Sequence, residues 1–182
     1  MMGLRNTQEN YGSLTIGLHW LMAAMILGLI IVGFLMELMG KGPNKDLLVN
    51  LHKATGLMVL IVGLFRWYWT ISSQKTAHIQ GLSKTEVGAS HAVKWLLMLL
   101  LLAMPISGLL MSMFHGYGVN VYGLFEIPSL VSKNKTVGGL FGRIHGVGAY
   151  LISAIVVIHI LAAIRHHFIK KDDTLKRMLG KK

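Results

Sequence analysis

Two histidines, His145 and His159, stand fourteen residues apart in one long apolar run. At 3.6 residues per turn, fourteen residues make nearly four turns. On a helix both rings therefore leave the same face, about 21 Å apart. Two more histidines, His19 and His52, lie in two other apolar runs. Histidine is rare in membrane-spanning segments and marks function there. Neutral imidazole is also a common metal ligand. A structural zinc site draws four ligands to one point, whereas these four rings divide into two levels. The pattern suits two separate centres, each held between two imidazoles.

The elements that must position these rings follow from hydropathy. Four apolar runs, at about residues 14–39, 47–70, 89–114 and 140–169, each reach the length of about 20 residues that a bilayer span needs. The chain has 182 residues, 53% of them apolar and only 14% charged, against roughly 25% charged in a soluble domain. These figures predict a single domain over 1–182, all-α, folded as an integral membrane four-helix bundle. The first run is too long for the apolar region of a signal peptide, and no small-residue cleavage site follows it, so it reads as a retained span. Pro105 falls inside the third run and predicts a kink. Polar connections lie at 40–45, 72–85 and 115–139, a basic tail occupies 170–182, and no internal repeat is evident. Cysteine is absent, which excludes disulfides, thiolate metal sites, iron–sulfur clusters and covalently attached haem.

The formal net charge is +11. The basic residues fall between and after apolar runs without aromatic interleaving, so they point to a membrane and not to nucleic acid. They also set the orientation. With four spans, the two termini and the second connection share one side, and that side holds twelve of the eighteen lysines and arginines. It reads as the cytoplasm, with both termini inside.

This topology sorts the histidines by depth. His52 and His145 fall near the outer face, and His19 and His159 in the inner half. Paired in this way, they form bis-histidine sites for two haem b groups, one in each half of the bilayer. Filling both axial positions favours electron transfer over oxygen binding. Gly142, Gly146 and Gly148 flank His145, and Gly56 lies one turn from His52, where small residues let a flat macrocycle approach. Lys53, Arg66, Arg143 and Arg165 are candidate partners for haem carboxylates. His91 opens the third helix and His166 follows His159 by seven residues. Either can replace His19 or His159 as an inner ligand, but His166, close to the tail, reads first as a substrate-site residue. His167 reads as interfacial, and His78 and His115 as solvated loop residues.

At these positions the chain resembles the bacterial cytochrome b561 family. The matching stretches are Tyr11 to Trp20, Leu51-His52-Lys53-Ala54-Thr55-Gly56, His91, the His145 and His159 pair, and Arg165-His166-His167-Phe168 followed by Asp173-Thr174-Leu175-Lys176-Arg177-Met178. The resemblance implies a multi-pass protein of the bacterial inner membrane, with two haems b and electron transfer to the quinone pool. It also implies an oxidoreductase of the superoxide:ubiquinone type, in which a periplasmic donor gives electrons and ubiquinone accepts them near His91 and His166. The outer side carries six basic residues against Glu37, Asp46 and Glu126, a positive mouth that would draw in a small anion.

Two other readings compete. One is an electron-transfer subunit that docks a periplasmic dehydrogenase or hydrogenase partner. The other is a membrane transporter or channel that uses its histidines for protons, which predicts no haem in the purified protein.

Overall fold

The computed structural model describes residues 3–77, 79 and 81–181. Four long helices dominate it: α1 (Ser13–Leu38), α2 (Pro43–Ser72), α3 (Lys84–Phe114) and α4 (Lys135–Arg165). α4 runs on into a π-helical turn, His166–Lys170, and a short α5 spans Thr174–Met178. All four long helices are long and apolar enough to cross a membrane.

Three of these helices begin earlier than hydropathy predicts, because polar residues start them. Pro43 occupies the first turn of α2, where its missing N–H is no loss. Ser83 and Glu86 form a reciprocal capping box on α3. The Asn134 side chain accepts from the backbone N–H groups of Thr136 and Val137 to cap α4. Each cap satisfies backbone donors that would otherwise be orphaned at a helix end.

The chain is not wholly helical. In the third connection Val119–Val121 (β1) pairs antiparallel with Phe125–Ile127 (β2). Tyr122 and Gly123 turn the hairpin with positive φ of 54° and 77°, the backbone sense that tight hairpins require. Val119 and Val121 are buried, β1 lies against α2, and the Tyr122 hydroxyl meets Thr55 Oγ1 at 3.1 Å.

Backbone packing is uneven. α1 lies on α2, α2 on α3 and α3 on α4, while α1 and α4 scarcely meet. Met22, Val59, Met98 and Leu101 form one core cluster across the first three helices, and Leu100, Ile152 and Ile155 a second between α3 and α4. Leu27, Ile31, Ile61, Leu64, Leu99 and Leu161 are exposed, as residues facing lipid tails should be. At the end that carries both termini, tryptophans tie the helices together. Trp67 Nε1 donates to the Met98 carbonyl at 2.7 Å, Trp69 Nε1 to Thr15 Oγ1 at 2.9 Å, and Trp20 Nε1 to the Met178 carbonyl at 3.0 Å. The space left beside α1 and α4 is where the histidines lie.

Candidate functional site

His52 on α2 and His145 on α4 face each other at the hairpin end of the bundle. Their ring centroids are 6.3 Å apart. At the terminus end, His19 on α1 faces His159 on α4 with centroids 6.2 Å apart. Metal–imidazole bonds of about 2 Å on each side, plus the ring radii, place two imidazoles that share one metal about 6 Å apart. Among the described residues, no three His, Asp or Glu side chains converge on a direct metal site.

The two pairs are supported differently. His145 Nδ1 donates to the Met104 carbonyl at 3.0 Å and meets Ser107 Oγ at 3.2 Å. That bond fixes the ring and leaves Nε2 free to bind a metal. Gly108 makes the approach possible, since a Cβ there would stand 2.9 Å from His145 Cε1. His52 Nδ1 is buried without a hydrogen-bond partner. At the other pair, Arg66 Nη2 lies 3.4 Å from His19 Nδ1, and Arg66 Nη1 is buried with no partner. His19, His52 and His145 are half-buried, whereas His159 is exposed in the isolated chain.

A cavity of about 870 Å³ surrounds the hairpin-end pair and is walled by all four helices. Its size is that of a cofactor pocket. Gly56 and Gly146 line it, and a Cβ at either would meet only open space. These two glycines thus leave room for a flat group beside the rings. Gly142 and Gly148 serve packing instead: a Cβ there would meet the Met111 and Met104 sulfurs at 3.3 and 2.5 Å. Tyr117 and Val119 bring the hairpin segment to the mouth of the cavity.

The remaining candidates divide. Arg165 is ion-paired with Glu86 at 3.2 Å, and Lys170 pairs with the same carboxylate, so Arg165 is already engaged. Arg143 is exposed, and Lys53 is within electrostatic reach of Glu126. His166 Nδ1 lies 2.5 Å from Asp172 Oδ2, where the tail folds back. His91 is exposed on α3. His167 Nδ1 is buried, with its ring edge-on to Phe168. His115 corrects the solvated-loop expectation. It is half-buried in the cavity wall, hydrogen-bonded to the Met111 carbonyl at 2.7 Å and set against Gly138. His78 lies outside the described residues. Met104, Ser107 and Gly108 escaped the sequence reading; Pro105, read only as a kink, sits among them.

Comparison with known proteins bears on the same residues. The sequence model described as prokaryotic cytochrome b561 matches residues 10–181. The chain is 33% identical to "Cytochrome b561 homolog 2" of Escherichia coli (strain K12), covering 99% of this chain and 96% of that protein. It is 28% identical to "Probable superoxide oxidase CybB" of Yersinia pestis, over 96% and 98% of the two chains. It is 26% identical to "Cytochrome b561 homolog 1" of Escherichia coli (strain K12), over 96% and 99%. The transporter or channel reading finds no support in these similarities.

Proposed function

Since the chain belongs to the prokaryotic cytochrome b561 family, a family of multi-pass inner-membrane proteins of haem-based electron transport, we propose that it carries electrons across the membrane between two haem b sites. His52 and His145 hold one and His19 and His159 the other. The observation that carries this reading is the near-equal separation of the two ring pairs, 6.3 and 6.2 Å, on helices whose backbones leave room between them. When bound, haem b supplies reversible one-electron transfer at iron.

The protein's own groups do the rest. The Met104 carbonyl holds His145 in the tautomer that presents Nε2. Gly56 and Gly146 keep the cavity open, and Tyr117 and Val119 of the hairpin segment form part of its wall. The donor is a periplasmic reductant, and the 28% identity with a probable superoxide oxidase favours superoxide. The acceptor is ubiquinone at the terminus end, near His91 and His166. Each superoxide gives one electron and leaves as dioxygen, so two of them, with two protons, turn one quinone into a quinol. His166 and Asp172 are hydrogen-bonded and form a relay suited to bringing those protons from the cytoplasm.

The test is a haem-per-protein assay with reduced-minus-oxidised spectra on the detergent-solubilised protein. Wild type should carry two low-spin b haems, and His52→Ala and His159→Ala should each lose a different one. A wild-type protein without haem sinks the reading. Superoxide-driven quinone reduction, measured on the same sample, then tests the donor. Turnover only with an added periplasmic dehydrogenase or hydrogenase would instead identify an electron-transfer subunit.

A further inference from the structure

α2 places a second functional side chain fourteen residues after His52, and that side chain is Arg66. By the spacing that relates His145 to His159, Arg66 shares a helix face with His52 and lies at the level of the other histidine pair. Its guanidinium touches the His19 ring, and its charge reaches His159 as well. Among the described residues no carboxylate is within ion-pair distance of it: Glu86 is held by Arg165 and Lys170, and Asp173 by Lys176. Asp172 is taken by His166. A guanidinium does not lose its proton in a protein, and a charge inside a membrane segment is retained only for a purpose. Among the described residues, then, this charge has no anionic partner and faces the His19/His159 pair.

The hairpin-end pair has the opposite support. His145 Nδ1 meets a carbonyl, which makes an imidazole a more electron-rich ligand. His19 Nδ1 meets a cation. At 3.4 Å the positive charge rests against the ring. A ferrous centre carries one positive charge fewer than a ferric one, so a fixed cation beside it favours reduction, and the effect is strong where the dielectric is low. A carbonyl behind the ligand favours oxidation.

We propose that Arg66 is a potential-setting residue: its charge raises the reduction potential of the His19/His159 site above that of the His52/His145 site, so that electrons run from the hairpin end to the terminus end. This rests on reading the two pairs as haem sites. The transfer itself is one electron leaving the His52/His145 site, which is oxidised, and arriving at the His19/His159 site, which is reduced.

The experiment is an optical redox titration of the purified, haem-loaded protein, with each midpoint assigned by the haem that His52→Ala or His159→Ala removes. In wild type the His19/His159 midpoint should be the higher one. Arg66→Gln should lower that midpoint by at least tenfold in its reduction equilibrium, about 59 mV for one electron, and leave the other in place. Arg66→Lys, which keeps the charge, should restore it. A reversed wild-type order overturns the inference, even if Arg66→Gln fails to fold. So does an Arg66→Gln protein with full haem content and unmoved midpoints, or with both midpoints moved equally. Those results leave the haem reading intact, whereas absence of haem from wild type removes both.

Discussion

The hydrogen atom that Gly108 carries in place of a side chain lets His145 lie against α3. A Cβ there would come within 2.9 Å of the ring, closer than carbon atoms pack, so Gly108→Ala must displace the His145 ring from its present position. On the two-haem proposal, the expected result is a haem content falling from two towards one per chain, with the His19/His159 spectrum unchanged. Gly28→Ala is the control, because a Cβ there meets nothing within 4 Å. Gly146→Leu tests the cavity from the other side. It fills open space instead of moving a ligand, and the same haem should be lost while the fold survives. The shared face of His145 and His159 was legible from type and spacing, because a fourteen-residue interval fixes both face and level; His19 and His52 were placed by the direction of their spans. Gly108 was not legible, since nothing local separates a glycine that admits a ring from one that admits another helix. Gly142 and Gly148 show the converse. They flank His145 in sequence, yet they pack against methionines.

Between residues and the bundle stand the helix ends, and these are the boundaries hydropathy placed least well. Apolar runs report where lipid begins, whereas helices begin where a cap satisfies their first N–H groups. Ser83 and Glu86 carried that information in plain view as a capping box, and Asn134 did so for α4. Ser83→Ala should cost about 1 kcal/mol and lower the thermal midpoint by about 2–4 °C in a chain of this size, read by circular dichroism. The tail supplies a second test. Burial pushes the Asp172 carboxyl up, but hydrogen bonds from His166 and Thr174 outweigh it and hold the group below its ordinary 3.8. A native value below the unfolded one stabilises the fold above that ordinary value, and the stability is lost as pH falls through the native value. Thermal midpoints followed from about pH 5 to about pH 2 should fall more steeply in wild type than in Asp172→Asn. Equal slopes would mean that the tail contact adds nothing to the native state.

At the scale of the whole molecule, the open seam between α1 and α4 could not be read from composition, because every helix is apolar on several sides. Only the pairing of rings across it hinted that two backbones must stay apart. The hairpin was hidden for a different reason: three-residue strands are too short to show a period clearly, and what holds β1 is burial against α2. Orientation, by contrast, is a statement about charge. Twelve basic residues belong to the end with both termini and six to the hairpin end, which predicts that the hairpin faces the periplasm. The absence of cysteine makes this directly testable, since any thiol introduced is the only one. Lys133 and Lys181 are both exposed, one on each end of the bundle. In spheroplasts a membrane-impermeant maleimide should label Lys133→Cys at once and Lys181→Cys only after lysis. The reverse pattern would turn the bundle over. It would put the His52/His145 site on the cytoplasmic side, and an electron path running from the hairpin end to the terminus end would then lead out of the cell, away from the quinone chemistry assigned to the cytoplasmic face.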